Sequence, residues 1–143
     1  MRSRGFSVSL AACVVLAAAC ASGPKRPANV AAPALDVRMA HNLFFGTSTS
    51  TPATVDVLLH NNADVPITIR RASVTSPGMG QYGILTTTHD FHEIVPPGGT
   101  GRVSLYATAV RSVDDPTEPL TLRATVELEA AGARWREIIT SRR

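Results

Sequence analysis

The stretch from Val55 to Arg70 constrains the fold of this chain more than any other part of it. Val55, Val57 and Leu59 stand two apart, so extended backbone puts them on one face. Val65, Ile67 and Ile69 repeat the pattern after Asn61-Asn62-Ala63-Asp64. Asn and Asp tolerate left-handed backbone and bond to their own main chain, so the intervening residues read as a turn, with Asn61 and Asn62 as its structural residues. Pro66 has no donor and suits the first residue of a strand or a sheet edge. Strand, polar turn and strand predict a hairpin at the nucleus of an antiparallel β-sandwich.

The same period recurs along the chain. Leu35, Val37 and Met39 alternate with Asp36 and Arg38. Val103, Leu105, Ala107 and Ala109 alternate with Ser104, Tyr106 and Thr108. The longest clean alternation is Leu120, Leu122, Ala124, Val126 and Leu128, which Ala130-Ala131-Gly132 turns back toward Trp135 and Ile139. Ile69 and Ala72 are out of phase by one residue, which predicts a bulge at Arg70-Arg71. Phe44 and Phe45 cannot both face one core from a regular strand, so a corner is expected there with one ring closing the end of the sandwich. Ser76-Pro77-Gly78-Met79-Gly80 and Pro96-Pro97-Gly98-Gly99 read as connections, and Ser112 to Pro119 as an acidic loop. Apolar residues are 44% of the chain but aromatics only 5%, so the core must be mostly aliphatic, a mix that favours strands. The expected fold is all-β, an antiparallel sandwich of seven or eight strands over residues 34–143.

Helical character is confined to the beginning. Met1-Arg2-Ser3-Arg4 is a short basic segment, and Val8 to Ala19 is an apolar run too short to span a bilayer but of the length found in signal peptides. It ends Leu16-Ala17-Ala18-Ala19-Cys20, which resembles the lipobox of bacterial lipoproteins, in which the cysteine is lipidated and becomes the new N-terminus. Leu16 stands one place further from the cysteine than that pattern prefers. Leu10-Ala11-Ala12-Cys13 fits it letter for letter but leaves a very short apolar segment. The reading adopted is a signal peptide over 1–19 and lipidation at Cys20. A Pro/Ala-rich tether then spans 20–33, where no apolar period is found. Both cysteines lie in this region, so the domain has no disulfide to rely on. Ala21 follows Cys20, and in the enterobacterial pattern a residue other than Asp there implies sorting to the outer membrane, facing the periplasm.

One layout of features resembles a known family. A valine-rich strand enters Asn61-Asn62, then come Val65-Pro66-Ile67-Thr68-Ile69, a glycine loop, Ile94-Val95-Pro96-Pro97-Gly98-Gly99-Thr100 and a long alternating strand. This resembles the water-stress and hypersensitive-response (WHy) domain of type 2 late-embryogenesis-abundant proteins over roughly residues 35–130. Asn62-Ala63 stands where the family has Pro-Asn, so its Asn-Pro-Asn signature is broken. The resemblance implies an immunoglobulin- or fibronectin-III-like sandwich, no catalysis, and a protective or scaffolding role.

Chemistry-bearing clusters are few. The domain has no Gly-x-Ser-x-Gly, no phosphate loop and no His-Glu-x-x-His. Met39, His41, Met79, His89 and His92 are the candidate soft-metal ligands, and they motivate an alternative reading as a periplasmic copper-binding chaperone. His89 and His92 are an odd number apart and face opposite sides of a regular strand. Tyr106 with Arg102 and Arg123 is a candidate contact surface. Lys25 is the only lysine; without Arg2 and Arg4 the chain carries 12 basic against 11 acidic residues, so nucleic acid is not an expected partner. The expected protein is a lipid-anchored, non-enzymatic envelope protein, without a cofactor, whose partners are the membrane and an unidentified envelope protein.

Overall fold

The computed structural model describes residues 23–78, 80, 82–111 and 119–142. Eight strands follow one another: β1 (Ala34–Met39), β2 (Ser50–His60), β3 (Ile67–Thr75), β4 (Tyr82–Ile84), β5 (Thr87–Val95), β6 (Thr100–Arg111), β7 (Thr121–Ala130) and β8 (Ala133–Arg142). They form two antiparallel four-stranded sheets, ordered β1-β2-β6-β4 and β5-β3-β7-β8, packed as an immunoglobulin-like sandwich. Every connection from β2 to β7 crosses between the sheets, whereas β1–β2 and β7–β8 stay within one. The margin at β1 lies over β8, and β5 lies over β6 on the opposite side.

The expected hairpin does not form. β2 pairs with β1 and β6, β3 pairs with β5 and β7, and Asn61–Pro66 carries the chain from the first sheet to the second. The reason is burial. Val55, Val57 and Leu59 from one sheet and Ile67 and Ile69 from the other are all fully buried. They meet across the sandwich instead of standing side by side on one face. Burying such side chains is worth about 1.5–3 kcal/mol each, more than the ladder bonds that a hairpin would add.

The long alternations lie as the period requires. Leu120, Leu122, Ala124, Val126 and Leu128 are buried, as are Val103, Leu105 and Ala109, and Trp135 is the largest fully buried side chain. Both ladders of β3 shift register between Ile69 and Arg71, so Arg70 and Arg71 both project outward between inward Ile69 and Ala72. Phe45 packs against the core beside Tyr82 with the Arg111 guanidinium 5.3 Å from its ring centre, while Phe44 is exposed.

The segment read as a tether is docked over much of its length. Val30 is in the core, 1% exposed, and its amide closes a turn on Pro27 O. Arg26 Nη1 donates to Val30 O, Arg26 lies 3.8 Å from Glu137 of β8, and Asn62 Nδ2 donates to Ala32 O. The packed unit therefore begins near Arg26, not Ala34. Val30 joins the same cluster of buried residues as the strands of both sheets.

Candidate functional site

Asn61 is the most densely bonded side chain of the crossing. Its Nδ2 donates to Val65 O at 2.9 Å and to Val95 O at 3.0 Å, and its Oδ1 accepts the Ala63 amide at 2.9 Å. Its main chain is used as well: Asn61 N donates to Gly99 O, and Gly98 N donates to Asn61 O. A fully buried amide thus ties the β2–β3 crossing to the β5–β6 crossing at Pro96–Gly99. The backbone of Asn61 and Asn62 is not left-handed, so neither asparagine is required for its φ. Asn62 is exposed and makes its bond to Ala32, and Pro66 stands just before β3. Next to the clasp, a Cβ on Gly101 would overlap Val95 Cγ2, so only glycine lets β6 approach the end of β5.

The candidate metal ligands are not brought together. Met39 ends β1 with His41 just beyond it, while His89 and His92 lie on β5, the margin opposite β1. Among the described residues no group of three or more His, Cys, Asp or Glu could hold a metal ion. Met79 and Cys20 lie outside the described residues, as does most of the acidic Ser112–Pro119 loop. Tyr106 and Arg102 share the outer face of the first sheet, but Arg123 is on the outer face of the second, which separates the expected contact surface. The two-residue period fixes which face of β7 Arg123 takes, but not which sheet β7 enters.

The second sheet carries the charged side chains that are organised across strands. Glu129 accepts from Arg70 at both oxygens, Nε to Oε2 at 2.9 Å and Nη2 to Oε1 at 3.0 Å, and from Arg134 Nε at 2.7 Å. Arg70 Nη1 also donates to His92 Nδ1 at 2.6 Å, which sets the ring tautomer with Nδ1 bare. In the next row Arg71 Nε donates to Asp90 at 2.6 Å, and Arg136 lies 3.5 Å from Glu127. The bonds from Arg70 and then Arg134 hold the Glu129 carboxyl down at about 2. The Arg71 hydrogen bond likewise holds Asp90 below the ordinary carboxylate range. The bulge is what permits this ladder, since it places two consecutive arginines on one face.

Beside the ladder a concavity of about 280 Å³ is lined by Arg71, Ser73, Thr88, Thr125, Glu127 and Arg136. Thr88 Oγ1 donates to Ser73 Oγ at 2.9 Å across its floor. Among the described side chains of this outer face, Arg70, Arg71, Arg123, Arg134 and Arg136 stand against Asp90, Glu127 and Glu129, a surplus of two positive charges. The outer face of the first sheet balances Arg38 and Arg102 against Asp36 and Asp56. There Asp56 is 4% exposed, accepts from Ser104 Oγ at 2.7 Å and lies 3.8 Å from Arg102. The outer face of the second sheet offers guanidinium and hydroxyl donors to solvent.

Comparison with known proteins places the fold only. No family model matches the chain, and no curated protein does. Among solved structures, a Northeast Structural Genomics Consortium target is similar at a TM-score of 0.53 and 8% identity, covering 78% of this chain and 83% of that one. A yeast GAE domain is similar at 0.48 and 13%, covering 82% and 94%. A protein from Archaeoglobus fulgidus is similar at 0.47 and 10%, covering 77% and 92%.

Proposed function

We propose that this chain is a lipid-anchored, non-enzymatic protein of the cell envelope whose single immunoglobulin-like domain acts by protein contact or stress protection. The observation that carries the reading is the apolar run from Val8 to Ala19 ending at Cys20, with no cysteine in the domain that follows. A cysteine with no structural partner at the end of such a run is accounted for by lipidation. The anchor sits in the outer membrane and the domain faces the periplasm. The layout around Asn61-Asn62 and Ile94–Thr100 supports a WHy-like protective or scaffolding module.

In this reading the protein partner meets the outer face of the first sheet. Tyr106 stands there 74% exposed, opposite Thr54 on β2 and two residues from Ser104 and Thr108. A tyrosine with an apolar ring and a free hydroxyl, on a charge-balanced face, suits protein contact better than the cationic face does.

Metabolic labelling with a fatty-acid analogue tests the anchor. Wild type takes up label and Cys20→Ser does not. Equal labelling of the two defeats the assignment, and loss of label in Cys13→Ser alone moves the modification to Cys13.

A further inference from the structure

We propose that the β8 margin of the second sheet rests on the anionic, phosphate-bearing surface of the membrane that holds the anchor. The inference depends on lipidation at Cys20 and concerns how the domain then sits. Its first support is the docked N-terminal segment. Were residues 20–33 all free, the domain would hang on a leash of up to about 45–50 Å, since extended chain spans about 3.3–3.6 Å per residue. Docking begins at Arg26, however, with Val30 in the core and Arg26 against Glu137. Only Ala21 to Lys25 remain between the lipidated cysteine and the docked segment. Such a chain reaches about 20 Å at full extension and averages about 13 Å when flexible. A domain of this size has a radius of gyration of about 13 Å, so on average the leash holds the attachment point at Arg26 within about one such radius of the membrane surface.

Its second support is what surrounds the exit point. The leash leaves beside β8, whose outward residues include Arg134, Arg136 and Ile138. The Arg134 and Arg136 side chains are 59% and 61% exposed, and Ile138 is 65% exposed. Arg123, exposed on neighbouring β7, pairs with Thr140 and so flanks Ile138 from the other side. An exposed aliphatic flanked by Arg136 on its own strand and Arg123 across the ladder, on the face with surplus positive charge, matches a surface of phosphates over hydrocarbon. The acidic side chains there cancel it only in part: Glu127 lies 3.5 Å from Arg136, but Glu129 is shared between Arg70 and Arg134, so two carboxylates serve three cations. In this posture the Tyr106 face points away from the membrane, on the side where the proposed protein partner would approach.

The test uses the full-length lipidated protein in vesicles of phosphatidylcholine alone or mixed with phosphatidylglycerol. With Cys20 lipidated and Cys13 removed with the signal peptide, Ile138→Cys supplies a single thiol for a polarity-sensitive dye. Thr108→Cys, exposed on the outer face of the first sheet, supplies the control. The expected result is a blue shift at position 138 in anionic vesicles at low salt, reversed at high salt, and none at 108. Replacing Arg123, Arg134 and Arg136 with Gln should lower the docked-to-free ratio by about fivefold per arginine, the value of one basic residue near an anionic leaflet. Should the triple variant fold poorly, the salt titration of the unsubstituted arginine surface decides the same question. Equal response at 138 and 108, or a response indifferent to phosphatidylglycerol and salt, overturns the proposal. Flotation separates the two readings. If full-length protein floats, Cys20→Ser does not, and the dye at 138 stays dark, docking fails and the anchor stands; if neither floats, both fall.

Discussion

Two connections in this domain both read as turns and work by opposite means. Asn61–Pro66 joins β2 to β3, and Ala131-Gly132 joins β7 to β8. The first leaves one sheet for the other, contains no left-handed residue, and is held by the buried Asn61 amide with three hydrogen bonds to main chain. The second stays in its sheet between paired Ala130 and Ala133, and its two residues have φ of 50° and 76°, the mirror-image turn that matches strand twist. One connection is specified by a side chain and the other by backbone angles. The difference teaches that polar turn residues mark where a strand ends but not where the chain goes next.

The largest effect should come from breaking the side-chain-specified crossing. Asn61→Val leaves Val65 O, Val95 O and the Ala63 amide without partners in or near the core. An orphaned buried polar group costs about 1–3 kcal/mol, so a loss of about 3–5 kcal/mol is expected, a large share of a typical domain's stability. Asn62→Val, with one exposed bond, should shift the denaturation midpoint little. Similar midpoints for both would show that the crossing is held by something other than the Asn61 amide.

A second test strikes the same clasp through packing alone. Gly101→Ala drives a methyl into Val95, which sits one residue before the turn that Asn61 holds. Overpacking of this kind costs about 1–3 kcal/mol. Val95→Ala in the same chain should recover part of it, and a fully additive pair would mean that the two residues do not meet.

The hairpin, by contrast, has an electrostatic root. Glu129 and Arg134 are paired just before and after its turn, with Arg70 bound to the same carboxylate. Because the folded-state value of Glu129 is depressed to about 2 from an ordinary 4.5, its contribution is fully present above pH about 4.5. It is lost as pH falls through about 2. Melting temperature should therefore decline across that window, and Glu129→Gln should flatten part of the decline. An unchanged acid limb would separate Glu129 from acid stability, and raised salt should weaken the effect because the pair is near the surface.

Legibility in the sequence follows the same division. β6 and β7 are plain because one face of each is buried and the other wet, which writes the two-residue period directly into the sequence. The bulge shows for the same reason, as a break in phase between Ile69 and Ala72. β5 is half hidden: Thr88, His89 and Asp90 are all polar, yet they lie on a marginal strand whose partners are Ser73, Ala72 and Arg71. An edge strand with both faces largely wet leaves no apolar period to find. Val30 escapes because a single buried residue has no period at all. The sheet assignment of β3 depends on which faces meet in space, and nothing local records that. The arginine ladder is partly visible as basic and acidic residues of one hairpin, but the contribution of Arg70 needs the β3–β7 register.

The smallest expected effect is a gain, and it probes the backbone-specified turn. Ala131 is the non-glycine residue with positive φ among those described. A Cβ in left-handed backbone costs about 1–2 kcal/mol. Asparagine tolerates this region better, and Asn-Gly is the favoured pair for such turns. Ala131→Asn should therefore stabilise the domain by about 0.5–1 kcal/mol, with the side chain remaining in solvent. Ala131→Gly relieves the same strain but gives the unfolded chain more freedom, so its gain should be smaller. The ranking Asn above Gly above Ala, read from denaturation midpoints, would show that φ is what this turn asks of its sequence. Asparagine would then serve the two connections for unrelated reasons, through its amide at position 61 and through its backbone at 131. If Ala131→Asn lowers the midpoint, the strain at 131 is not what limits the hairpin, and the contrast between the two connections is weaker than their geometry implies.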